Sequence, residues 1–114
     1  MSGQDLYIEL RYKQQALETA LGELGKCGRA NAEAEAKYRI ALAKKILEER
    51  DKGTPVTIIS DVCRGYREIA QLKFKRDVSK TMYEAALETI NVFKLAVRTL
   101  DAQIEREWNS GGKA

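Results

Sequence analysis

The sequence predicts an all-α fold: a long, coiled-coil-like antiparallel helical hairpin with a short corner helix, assembling into a helical bundle. Three observations predict it. From Tyr66 to Trp108 there is neither proline nor glycine, and apolar residues recur at alternating steps of three and four. The stretch from Asp5 to Lys52 carries the same period. The composition, 44% hydrophobic and 32% charged with a single proline, is that of long helices, while 7% aromatic content and little β-branched alternation argue against a sheet.

The first helix is expected over about 5–52. Leu6, Leu10, Leu17, Leu24, Cys27, Ala34 and Tyr38 share one register, and Ile40, Leu42, Ala43, Ile46 and Leu47 then widen the apolar face toward the tip. Gly22, Gly25 and Gly28 interrupt it, each lowering helix stability by about 1 kcal/mol relative to alanine. Asn31, with Glu33 and Glu35 behind it, offers a cap for a fresh start. The register survives the glycines, which favours one helix, locally weak or kinked at 22–28, over two. The glycine spacing is not that of a phosphate-cradling turn and no strand precedes it, so close helix approach or a kink is the reading.

The helix is expected to stop at Asp51-Lys52-Gly53. Thr54 then reads as an N-cap with Pro55 in the first helical position, opening a short helix over 55–64. Gly65 would end it as a left-handed C′ residue. The second long helix, 66–108, carries Ile69, Leu72, Tyr83, Ala86, Ile90, Phe93, Val97, Leu100 and Ile104 in one register and would run roughly 65 Å at 1.5 Å per residue. Residues 109–114 read as a flexible tail, leaving a single helical domain over 1–108. Counting back from the corner sets Trp108 near Tyr7 and Leu10, an aromatic clasp at the open end. The corner residues Val56, Ile58, Ile59 and Val62 cannot all face one neighbour, so some cover the seam or await a partner.

Two helices bury a stripe rather than a core, and small chains are marginal without further burial. A homo-oligomer is therefore expected, a dimer with a four-helix arrangement being favoured. Val78, Met82 and Val92 lie off the main register and leave apolar surface for it.

Catalysis has little to stand on. The chain has no histidine, the commonest general base and metal ligand. Cys27 and Cys63 have no C-x-x-C spacing, and the carboxylates alternate with lysine and arginine as solvating charges, Glu48-Glu49-Arg50 among them. No catalytic residue, metal or cofactor is expected, and the chain does not read as an enzyme.

A net charge of +3 with interspersed signs excludes an acidic DNA mimic. Locally, Lys44 and Lys45 before the corner and Lys73, Lys75 and Arg76 after it fall at one height of a hairpin. They form a basic collar, with Arg64 and Arg67 nearer the tip. Arg76 and Ser79 occupy a polar gap in the apolar register. Arg76 there either pairs with a carboxylate of the first helix or reaches water, and the collar as a whole could instead contact phosphates or an acidic protein surface. Phe74, between Lys73 and Lys75, is placed to stack on a base or simply to pack. The helix–Gly53–short helix–Gly65–helix order also has the outline of a helix-turn-helix. Only Thr57, Ser60, Asp61 and Arg64 would be available to read bases, and Asp61 would repel phosphate.

No run approaches 18 apolar residues, so no transmembrane helix is expected. The start of the chain has neither the basic nor the apolar region of a secretory signal. The two cysteines read as free thiols of a cytoplasmic protein, too far apart along the hairpin for a disulfide.

The segments Ala41-Leu42-Ala43-Lys44-Lys45-Ile46-Leu47, Gly53 with Pro55, and Leu72-Lys73-Phe74-Lys75-Arg76-Asp77 carry a resemblance. Over roughly 34–108 the chain resembles a group of small helical early-region proteins of bacteriophages and prophages of Gram-positive bacteria, often encoded among genes for DNA replication and recombination. The resemblance implies a setting, the host cytoplasm early in infection, rather than a mechanism. The expected function is a non-enzymatic protein–protein interaction module. It would act on a phage replication or recombination factor, or inhibit a host defence protein, through the corner helix and collar. The alternatives are a structure-specific nucleic-acid-binding accessory using the collar on phosphates, and a helix-turn-helix regulator.

Overall fold

The structure, a computed structural model, describes residues 3–112. It is all-α: α1 (Gly3–Asp51), α2 (Ile59–Arg64) and α3 (Arg67–Gly112), with no strand among the described residues. No helix in them is long and apolar enough to cross a membrane. Packing divides the chain, read above as one domain, into two compact units.

The first unit joins α1 up to Gly25 with α3 from Glu84 onward. Its core is Leu6, Leu10 and Leu100, with Val97 and Ile104 packed against them. Ile90 is buried in the same unit. These are the positions that the three-four register singles out, because only that spacing keeps side chains on one side of a 3.6-residue helix. Two expectations fail here. Trp108 is 80% exposed and Tyr7 is exposed as well, so no aromatic clasp forms; aliphatic packing alone closes the pair. Residues 109–112 are helical rather than a frayed tail, since α3 continues through Gly112, while 113 and 114 lie outside the described residues.

The second unit, Lys26–Tyr83, is a helical hairpin: the end of α1, the corner with α2, and the start of α3. Tyr38, Ile59, Cys63 and Ile69 are its buried apolar residues. Ile40 and Leu47, expected to widen the apolar face, are instead exposed. The covered face continues as the half-buried Ala41, Leu42, Lys45 and Ile46 and the buried Glu49, so α1 keeps its original stripe and carries Ile40 and Leu47 away from α3.

α1 is a single helix through Gly22, Gly25 and Gly28. A side chain at Gly28 would stand 3.3 Å from Cε2 of Tyr83, so this glycine serves close approach of α1 and α3. Gly22 and Gly25 meet nothing within 4 Å. Replacing both with alanine is therefore expected to stabilise the chain by about 0.5–1 kcal/mol per site. Urea unfolding of the double variant checks this, with a lower midpoint the contrary result.

Candidate interaction surface

The corner begins with the end of α1. Thr54 N–H donates to the Glu49 carbonyl at 3.1 Å and Gly53 N–H to that of Arg50 at 3.0 Å. With Gly53 at φ 87, this pair of bonds is a Schellman motif, and glycine is needed because a Cβ disfavours that conformation. The residues on either side of such a motif usually make an apolar contact. Here they are Glu49 and Thr54, and the Thr54 hydroxyl donates to Glu49 Oε2 at 2.7 Å.

Glu49 is the centre of the corner and is only 4% exposed. Its Oε1 accepts from the Tyr66 hydroxyl, just before α3, and from Lys52 Nζ at 3.4 Å. One carboxylate thus ties the last turns of α1, the turn and the approach to α3. The Tyr66 hydrogen bond, then that of Thr54, lowers its pKa from the usual 4.5 to about 2, with Lys52 adding to them against the opposing effect of burial. The same hydrogen bond raises the Tyr66 phenol. Lys45 Nζ lies 4.1 Å from the centre of the Tyr66 ring and pairs with Glu68 at 3.2 Å and Glu48 at 3.4 Å. Cys63 is fully buried in the same unit, and burial followed by the Glu49 charge pushes its thiol up. That makes it a packing residue, held protonated and away from solvent.

On this anchor stands the segment 54–58. Thr54 does not cap α2 as the sequence suggests, because its hydroxyl is taken by Glu49. α2 starts later, with Ile58 in the capping position and no side-chain cap bond. Gly65 is right-handed, φ −78, rather than left-handed; its N–H donates to the Asp61 and Val62 carbonyls and the chain turns directly into α3. Of the four apolar corner residues, Ile59 is buried and Val62 half-buried, while Val56 is 77% and Ile58 47% exposed.

The basic collar divides. Lys45 is engaged as above. Lys73 pairs with Asp77 at 3.2 Å. Arg76 pairs with Asp77 at 2.9 Å and with Glu35 of α1 at 3.5 Å, and its guanidinium lies 4.5 Å from the Tyr38 ring centre. Arg64 reaches Asp61 only at 4.0 Å. Lys44, Arg67 and Lys75 are exposed and make no ion pair among the described residues. The sequence expects the cations at one height, but the structure separates them: Lys45 stands level with Glu68, while Arg76 stands level with Glu35 and Tyr38, about two turns away along α1. Carboxylates come with them and neutralise four of the seven. Glu49 is the residue that sequence reasoning misses. A signal exists: it lies four residues before Gly53 and five before Thr54, the positions a Schellman motif brings together.

Comparison of the chain with protein-family models, with curated proteins and with solved structures finds no match.

Proposed function

We propose that this chain is a non-enzymatic protein–protein interaction module and that its corner is the docking surface. The observation that carries this is the contrast at residues 49–58. A buried, fully bonded carboxylate fixes the turn, and the turn then presents Val56 and Ile58 to solvent. Rigid apolar side chains held outward bind a partner with little ordering cost, which is what a small protein contact needs at its centre. The resemblance of the segments around Lys44 and Lys73 supports a phage replication or recombination factor, or a host defence protein, as that partner. The collar supports nucleic-acid binding less, since a phosphate tracker keeps its cations free.

The test is the double substitution Val56→Asp, Ile58→Asp. Both side chains are solvent-facing, so helical circular dichroism should be unchanged. Capture of a partner from host cells in the presence of nuclease should be lost relative to the wild type. Binding of the wild type to labelled duplex or single strand, weakening steeply with salt, would instead select the nucleic-acid reading.

A further inference from the structure

Beside the corner hairpin's polar seam runs a groove between α1 and α3 with a floor of small and apolar residues, Ala30, Ala34 and Leu72 among them. Its α1 rim carries Glu33 and Lys37, and its α3 rim carries the pair Phe74 and Val78 with Lys75 between them. Both pairs are spaced i,i+4, so each lies along one face of its helix, about one turn apart. The residue midway between Glu33 and Lys37 is Glu35, and the residue midway between Phe74 and Val78 is Arg76. Those two midpoints are bonded to each other, Arg76 Nε to Glu35 Oε2 at 3.5 Å, so the two pairs are centred at one level of the hairpin.

That coincidence is what a two-fold contact requires, because in an isologous interface the patch must be its own complement. We infer that a second copy of this chain docks on this groove, related by a two-fold axis that crosses the groove face of both helices at the level of the Glu35–Arg76 pair. Rotation about this axis sets α1 against its counterpart antiparallel and α3 likewise. Glu33 of each copy then meets Lys37 of the other, and Phe74 of each meets Val78 of the other. Neither Glu33 nor Lys37 makes an ion pair within the chain among the described residues, and Phe74 and Val78 are both exposed. The signs on the α1 rim are mixed, which suits a copy with the same two charges reversed in order, while Lys75 of the α3 rim stands beside the axis and near its own counterpart.

The surface area agrees. The chain exposes 8630 Å², against about 6300 Å² for a typical folded monomer of 12.9 kDa. The excess of about 2300 Å² belongs to one chain and is larger than the roughly 800 Å² per partner that a standard interface covers, so it leaves room for one. The inference does not depend on the corner contact: its failure would leave that reading standing, and the reverse.

The experiment is sedimentation equilibrium of the full chain with single and paired charge reversals. The wild type is expected at twice 12.9 kDa in the micromolar range. Glu33→Lys and Lys37→Glu each place like charges together twice per dimer and should weaken association at least about tenfold. The double variant Glu33→Lys, Lys37→Glu restores opposite charges and should recover the dimer. Phe74→Glu should give a helical monomer. A wild type that stays monomeric throughout overturns the inference and leaves the groove to another partner. A dimer indifferent to both single reversals, or a double variant no better than the singles, overturns it too.

Discussion

Ile69→Ala is expected to lower the free energy of unfolding by about 2–5 kcal/mol, with the urea midpoint falling and the slope unchanged. Ile69 is 2% exposed, in the first turn of α3, where the corner hands the chain back toward α1. Its neighbours on the α1 side include Ala41 and Lys45, small or already committed to ion pairs, so little can move in to fill the space. In a domain whose whole stability is about 5–15 kcal/mol, that loss leaves the hairpin marginal. The matched control is Ile40→Ala. It removes the same atoms, but Ile40 is 71% exposed, so the change should stay within about 0.5 kcal/mol. If Ile40→Ala proved as costly as Ile69→Ala, α1 would be burying the face that the sequence pattern alone assigns to it.

That control marks where the sequence was legible and where it was not. The three-four register found Leu6, Leu10, Tyr38, Ile69, Ile90 and Leu100, all buried, because helical periodicity is set by backbone geometry and needs no knowledge of the partner. It failed at Ile40 and Leu47, where apolar residues flank the stripe. Hydrophobicity says that a residue gains from burial but not whether a neighbour stands there, and the stripe past Tyr38 runs on through Lys45 and Glu49 instead. Polar residues in a seam are invisible to a hydrophobic count; they become legible only with their partners, Tyr66 for Glu49 and Glu35 for Arg76. Arg76 shows itself as a gap in the register with a carboxylate of α1 as a candidate partner. Glu49 is not legible in this way, because the charges beside it give it the pattern of solvating surface. The glycines divide in the same way. Gly53 is required by a left-handed turn and Gly28 by Tyr83, while nothing stands near Gly22 or Gly25.

Acid should unfold the chain through Glu49. Its carboxyl is held at about 2 in the folded state and returns to the usual 4.5 when the corner opens, so the folded form favours the ionised group. The sign follows. The contribution is fully present above pH 4.5, declines as pH falls from there toward 2, and is gone below that. Tyr66 acts in the opposite limb. Its raised phenol contributes below its ordinary value near 10 and is lost as pH rises through the folded value. Glu49→Gln keeps the size of the side chain and removes the charge that Tyr66, Thr54 and Lys52 surround. Urea midpoints of wild type and variant, compared from pH 7 down to pH 2, should differ most at neutral pH and converge as the acid end is reached. Other acid-sensitive pairs, such as Asp77 with Arg76, are common to both proteins and cancel in the difference. A gap that stays constant over the whole range would mean that Glu49 acts by shape and not by charge. Tyr66→Phe separates the causes further. It removes the largest contribution to the lowered pKa, so the acid limb of that variant should begin at the same pH, set by the unfolded carboxyl, but be smaller and end at a higher pH than in the wild type. The corner would then also lose its hold on Val56 and Ile58 in the same pH window, tying the stability of the turn to the contact it presents.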